Sequence, residues 1–544
     1  MRVSMGLFNT ETRNAKSFRD FLSKVSVTIL LAFMAPQSFG FIINPNVDPW
    51  LDSASGTRSG NGVGGTLTWS LVPDGSNVDD GISNLGGSDL IDFLNENFDG
   101  DPAESDHREQ PWFPIIESSL DRWSELSGLD FIYEPNDDGV ARDSQAPGVL
   151  GVRGDLRFSG VSIDGRGGVL AFNFFPQFGG DMTIDTDETG FARGTNNFNF
   201  FRTTIMHELG HAIGLDHVTS TTDNLLMDAF ADPTIDGPQL DDIRGIQFYF
   251  GDRFEASNDG LGNGTVSRAT DLGELVAGGS LIIGADADVP SQAIDNTATD
   301  FVSISQSTDT DYYSFTITQP GEVFAELTPH GGVFTQADEF ERNPSTFDAN
   351  ARIDLAFSIL DTNGTTSIEF ADDVGAGDIE VIETTTLDPG TYYARVTGDE
   401  DTIQLYSLEL RFESAVLLGD CNGDGVVNSP DLECGCSTDI GEVLTALNAT
   451  PGDFDLDGDV DFADFLNLSG NFGEDGDYLH GDIDCSGEVD FPDFLVLAIG
   501  FGQPTASTAS VPEPNAALLG LLSGSMLLTL RRKRKVAFAS TRKR

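Results

Sequence analysis

Lysine is missing from residues 25–532 of this 544-residue chain, where the only basic side chains are arginines and a few histidines. Against 29 lysines and arginines stand 89 aspartates and glutamates, giving a formal charge of -60. Such a body cannot hold nucleic acid by counter-charge, and it is repelled by anionic membrane surfaces. Cysteine is as scarce: all four (Cys421, Cys434, Cys436, Cys485) lie in one C-terminal region. No disulfide or thiolate ligand can therefore form before residue 421. The apolar run 516–530 has 15 residues, short of the roughly 20 that a membrane-spanning helix needs. Histidine numbers only 6, yet three fall between residues 207 and 217.

Those three make the most informative stretch of the chain. Residues 207–217 spell H-E-x-x-H-x-x-G-x-x-H, preceded by an apolar segment that suits a buried helix. Residues four apart share one helix face, so His207 and His211 can address one metal ion. Gly214 permits the left-handed turn that would bring His217 round as a third nitrogen ligand. Three neutral imidazoles around zinc leave one position open for water, which marks a catalytic site rather than a closed structural one. Glu208, beside a ligand, is placed to take a proton from that water. Histidines on an apolar helix are often core residues satisfied by hydrogen bonds, but the extended pattern is far more specific than a bare H-E-x-x-H.

Length predicts three or four domains. Residues 1–40, with basic residues before an apolar run and a small-residue stretch, read as a secretory signal peptide. Residues 504–510 read as a linker. Residues 511–535 combine Val511-Pro512-Glu513-Pro514, the apolar run and a basic cluster, and residues 536–544 form a basic tail. The tripartite end resembles the PEP-CTERM sorting signal. That resemblance implies an exosortase-like processing enzyme, a membrane segment before processing, and an exported protein of a Gram-negative-type envelope. A plain membrane anchor is the simpler alternative. Export also gives the four cysteines an oxidising compartment.

Residues 41–252 mix strand and helix patterns. Residues 66–71 alternate like a strand, residues 115–126 have helical spacing, and strands follow near 129–133 and 149–158. With the zinc motif, Leu226-Met227-Asp228 ten residues beyond His217 and the stretch Leu240-Asp241-Asp242-Ile243-Arg244-Gly245-Ile246-Gln247, this segment resembles a matrixin of the metzincin family. The resemblance implies a mixed twisted sheet with a zinc helix, a methionine turn at Met227 and a closing helix at 240–247. It implies a calcium loop with ligands Asp164, Gly165, Gly167, Val169, Asp185 and Glu188, matching the oxygen ligands on a glycine-rich loop that calcium favours. Val169, Leu170 and Ala171 would form the edge strand that pairs with substrate. Matrixins typically hold a second, structural zinc, but here Phe172 and Thr183 stand at matching positions and cannot bind it. A capping propeptide cysteine is also missing. His107, in a polar stretch, reads as solvated rather than as a ligand. Met227 reads as a packed floor, because its thioether is a weak zinc ligand beside three imidazoles.

Residues 253–415 carry short strands between turn residues and no helical period, which predicts a β-sandwich. The stretches 309–315 and 387–396 resemble the bacterial pre-peptidase C-terminal domain, which is often trimmed off. Residues 416–503 repeat an acidic loop three times. Its oxygen-bearing positions are Asp420, Asn422, Asp424, Asn428 and Asp431; then Asp453, Asp455, Asp457, Asp461 and Asp464; then Asp482, Asp484, Asp490 and Asp493. Oxygens at positions 1, 3, 5, 9 and 12 with glycine at 6 make a calcium-loop pattern, the third loop having Ser486 in place of a carboxylate. Aspartate at the twelfth place resembles dockerin-type repeats, which implies a small α-helical domain and makes a cohesin-like module a candidate partner. Dockerins normally have two such loops, and solvated acidic turns are the plain alternative.

The fold expected is multidomain: an α+β metzincin-like domain, a β-sandwich and a calcium-loop repeat domain. The expected function is an exported endopeptidase using one catalytic Zn2+ and several Ca2+ on protein or peptide substrates. The rival is an inactive, calcium-binding adhesion or matrix protein.

Overall fold

The computed structural model describes residues 3–4, 40–43, 50, 53–56, 62–79, 85–142, 146–220, 224–232, 234–337, 344–414, 427–433, 440–484 and 486–502. Nearly all of the signal peptide, the four cysteines, the first calcium loop at Asp420, Asn422 and Asp424, and the sorting tail lie outside these residues. The chain forms two compact units, Met1–Glu413 and Ser414–Arg544.

The first unit opens with a five-stranded sheet. Its strands are β1 (Gly65–Leu71), β2 (Leu129–Tyr133), β3 (Leu156–Val161), β4 (Ala171–Asn173) and β5 (Met182–Asp185). The order across the sheet is β2-β1-β3-β5-β4. All pairings are parallel except β4 with β5, so β4 is an antiparallel edge. Every residue of β3 is buried, as expected for a central parallel strand covered on both faces.

Four helices accompany this sheet: α1 (Leu90–Asn97), α2 (Phe113–Glu125), α3 (Asn199–Ile213) and α4 (Leu240–Phe250). Helix α3 is buried nearly all round, which is why its sequence shows little amphipathic contrast. Trp123 of α2 donates from Nε1 to the Met206 carbonyl at 3.0 Å, so the two helices are bolted as well as packed.

Two further five-stranded sheets follow in the same unit. One runs in the order 270–274, 310–317, 390–398, 355–360, 367–371. The other is built on Gln404–Ser414, flanked by Ser280–Ile283, Val302–Ile304 and Gly321–His330, with Glu380–Leu387 at its far side. Thr310–Ile317 alternates strictly between buried and half-buried residues, the period-two pattern of a strand with one face on a core. Tyr313, Phe315, Phe357, Val396 and Leu408 fill the space between the sheets. Phe334, Phe347 and Ile403 instead join the same buried cluster as Leu209 and Ile213 of α3.

In the second unit, helices α5 (Ile440–Ala446), α6 (Phe462–Asn471) and α7 (Phe491–Gly500) follow acidic loops. Asp461 and Asp490 are the N-caps of α6 and α7, each in a capping box with Asp464 or Asp493. Among the described residues no helix is long and apolar enough to cross a membrane.

Candidate metal centre

Helix α3 carries His207 and His211 one turn apart and ends at Gly214, whose φ of 113° only glycine adopts without strain. The turn brings His217 back so that its Nε2 lies 3.2 Å from Nε2 of His207 and 3.1 Å from Nε2 of His211. Nδ1 of His207 donates to the Leu226 carbonyl at 2.7 Å, and Nδ1 of His211 to the Leu215 carbonyl at 2.8 Å. A carbonyl can only accept, so both rings hold their proton on Nδ1 and turn an Nε2 lone pair inward. Two nitrogens about 2.05 Å from one tetrahedral ion stand roughly 3.3 Å apart, close to the spacing found here. The donor set therefore fits zinc. Burial, with the neighbouring His217 adding to it, pushes His207 down to about 3, and burial likewise lowers His211. Both are neutral and ready to bind at pH 7.

Glu208 is 2% exposed, and its Oε2 has no hydrogen-bond partner. Burial pushes its carboxyl up to about 8. A cation held by the three imidazoles would favour the carboxylate and pull that value down. Met227 is buried against the same helix: a Cβ added to Gly210 would lie 2.2 Å from its Sδ. Asp242 of α4, which the sequence reading missed, holds this turn in place. Its carboxylate accepts from the Leu226 and Met227 amides at 2.9 and 3.1 Å, and from its own N-cap amide at Gln239 at 2.8 Å. The only sequence signal was an aspartate at the third position of a helix, a capping-box place.

Val169, Leu170 and Ala171 are buried, and the edge strand itself begins at Ala171 and runs to Asn173, two residues later than expected. Leu170 has already spent its carbonyl on the Asp185 amide at 2.9 Å. Just beyond the strand, the Phe175 ring meets His211 edge-on with centroids 5.6 Å apart, so the end of the edge lies against the imidazoles.

In the neighbouring loop, Asp164 accepts from the Val169 amide at 2.9 Å and Asp185 from the Ile163 amide at 3.0 Å. Burial raises both carboxyls, and each Asp185 oxygen is enclosed, Oδ2 without a partner. Glu188 turns to the Gly167 and Gly190 amides at 2.7 and 2.5 Å. Asp164, between β3 and β4, and Asp185 and Glu188, at the end of β5, thus lie on two adjoining segments without bringing three carboxylate oxygens within 4.8 Å of one another. Gly165 and Gly167, both at positive φ, supply its turns.

Phe172 and Thr183 face each other across β4 and β5. The guanidinium of Arg142, 6% exposed, reaches both: it lies 5.5 Å over the Phe172 ring and donates to Thr183 Oγ1. It also donates to Ser159 Oγ at 2.8 Å and lies 5.6 Å over Phe174. His107 is half-buried and bonded to the Tyr133 hydroxyl at 2.9 Å rather than solvated.

In the second unit, oxygens of Asp453, Asp455 and Asp464 converge within 4.8 Å, and so do those of Asp482, Asp484 and Asp493. Asp457 donates its amide to Asp455 at 3.3 Å, while Asp461 and Asp490 donate theirs to Asp464 and Asp493 at 2.8 Å. Of the first loop only the end is described, where the Asn428 amide donates to Asp431 at 2.7 Å. A further group, from Glu255, Asp309 and Asp311, also comes within 4.8 Å and could hold a hard cation. The sequence reading missed it because Glu255 lies more than fifty residues before Asp309 and Asp311.

Residues 101–251 match the matrixin family, Peptidase_M10. The chain is 37% identical over 151 residues to the hatching enzyme of Paracentrotus lividus, covering 27% of this chain and 23% of the relative. It is 34% identical over 137 residues to human matrix metalloproteinase-15, covering 24% and 20%. Macrophage metalloelastase of Oryctolagus cuniculus is 34% identical over 139 residues, covering 25% and 28%. The chain thus spans about a quarter of the length of these relatives. Among solved structures, the pre-peptidase C-terminal domain of a Bacillus anthracis collagenase aligns with 26% of this chain and 94% of its own. Its 12% identity and TM-score of 0.16 are too low to build on. The similarity to the matrixin family is thus one of a segment of the chain.

Proposed function

We propose that this chain is an exported zinc endopeptidase that hydrolyses peptide bonds of extracellular proteins. The observation that carries the reading is the convergence of three imidazole nitrogens beside a buried, unpartnered carboxylate. His207, His211 and His217 would hold one zinc, which when bound polarises a peptide carbonyl and makes water more acidic. Glu208 takes up the proton that the attacking water releases and passes it to the departing amine. His207 and His211 are kept from turning by their carbonyl partners. An extended peptide adds as a strand along Ala171–Asn173, whose outer edge has no strand beside it among the described residues. An inactive adhesion protein would have no use for Glu208 buried at such cost next to three imidazoles. Incubating the purified chain with a denatured protein, with and without a zinc chelator, tests this. Cleavage that the chelator leaves untouched would refute it.

Calcium would sit in the acidic loops of the second unit and in the loop of Asp164, Asp185 and Glu188. At the repeats, a cation would offset the burial that chiefly raises the Asp455 carboxyl and the charges of Asp464, Asp457 and Asp461 that raise it further. Calcium is therefore expected to protect residues 440–502 from an added protease, and a chelator to expose them. Equal digestion in both conditions would make these loops plain turns. An exosortase-like enzyme and a cohesin-like module complete the proposed partners, and a Gram-negative-type envelope the proposed location.

A further inference from the structure

His207 and His211 sit on helix α3, but His217 belongs to the chain that leaves it, so its place depends on what holds residues 215–220. That segment is paired on both sides of the imidazole. Before it, Leu215–Asp216 pairs antiparallel with Ile42–Ile43. After it, Thr219–Ser220 pairs antiparallel with Val333–Ala337 of the sandwich, through Ala337 and Gln336. Between the two, the Val218 amide donates to the Met227 carbonyl at 3.0 Å. Val333–Ala337 is the middle strand of three, with Ser345–Asp348 on its other side.

These two sandwich strands are rooted in the peptidase core. Phe334 and Phe347 face each other across the pair, with ring centroids 5.6 Å apart. Both join the buried cluster that holds Leu215 and Val218, on either side of His217, rather than the cluster between the two large sandwich sheets. From α4, the Arg244 guanidinium lies 5.2 Å over Phe347 and 5.5 Å over Phe41, the residue before Ile42–Ile43. Contacts between neighbouring domains are ordinarily polar and allow relative motion, whereas this one is apolar and carries a strand pairing.

We propose that this strand pair of the sandwich is the outer support of the metal centre, setting where His217 presents its Nε2. The inference rests on the zinc site of the peptidase reading above. Ala337 and Phe334 are positioning residues, which act on the metal through residues 215–220. Trimming of residues 253–415, which their resemblance to a pre-peptidase C-terminal domain implies, would then loosen the third ligand instead of freeing an active peptidase.

The test uses the full chain and four variants. Ala337→Pro breaks the strand where it meets Thr219, since proline has no amide hydrogen and does not fit a middle strand. Phe334→Ala empties the apolar root of the pair, and Phe334→Leu refills most of it. Val396→Ala weakens the sandwich elsewhere, in the core between its large sheets. Zinc affinity is measured against a chromophoric chelator, and the visible spectrum of the cobalt-substituted chain reports the arrangement of the ligands. Hydrogen exchange of the metal-free chain follows residues 215–220. Ala337→Pro and Phe334→Ala should bind zinc about ten- to hundredfold more weakly, alter the cobalt spectrum and exchange faster at residues 215–220. Phe334→Leu should recover most of the loss, and Val396→Ala should match the parent. If Ala337→Pro does not fold, the two Phe334 variants decide. Parent-like affinity and spectrum in Phe334→Ala, or an equal loss in Val396→Ala, overturn this inference alone. A parent chain that binds no zinc overturns the metal centre on which it rests.

Discussion

Replacing Glu208 by glutamine is expected to lower kcat/KM by about 10²–10⁴ while zinc stays bound, because the amide is nearly isosteric but cannot accept the proton. No other carboxylate shares the helix with His207 and His211: residues 199–213 contain Glu208 and no other acid. The parent should gain activity as pH rises through the Glu208 pKa, and the glutamine variant should lose that limb. The same substitution has an opposite effect on the metal-free fold. In the unfolded chain the carboxyl ionises near its ordinary 4.5, whereas burial holds it protonated up to about 8. A raised acid contributes stability below the lower value and loses it as pH climbs through the higher one. Above pH 8 the buried carboxylate therefore costs on the order of a few kcal/mol, which glutamine escapes. Denaturant midpoints of the chelated proteins should coincide near pH 4 and separate above pH 8 in favour of the variant. Undiminished cleavage by the variant would remove Glu208 as the base, and a pH-independent gap would refute the burial account.

The zinc ligands were legible because their geometry is local. Helical spacing aligns His207 with His211, and a glycine fixes the turn to His217, so eleven residues contain nearly all the information. The second and third acidic loops are local in the same way, each closed within twelve residues by its own aspartate, Asp464 or Asp493. What eluded the sequence is built at long range. Asp242 reaches back to Leu226 and Met227 across a loop, and the edge strand is held in register by β5, ten residues further along the chain. Residues 292–296 have no motif at all; they meet residues 236–240 through one backbone bond and through the side chains of Gln239, Asp236 and Asn296. Phe172 and Thr183 signalled that imidazoles were missing. They could not signal that a cation from thirty residues upstream reaches both positions.

That cation sets the second large expectation. Arg142 spans the two strands where the resemblance to matrixins implies a second zinc, bonding Ser159 and Thr183 and covering the Phe172 and Phe174 rings. Burial raises the Asp181 carboxyl to about 6 even though the Arg157 and Arg142 guanidiniums hold it down. A guanidinium is planar, permanently charged and directional, so it can tie β3, β4 and β5 together without a metal. The purified chain should accordingly hold one zinc, lost on mutating His211. Arg142→Ala should cost on the order of 3 kcal/mol in denaturant unfolding, since it deletes a buried charge that Asp181 answers and two ring contacts. Arg142→Lys should recover less than half of that, because an ammonium keeps the charge but neither the fork nor the stacking. Neither variant should gain or lose zinc, for the site that each alters supplies no imidazole. Two zincs per parent chain, or an Arg142→Ala variant as stable as the parent, would mean that a metal and not this arginine secures the edge strand.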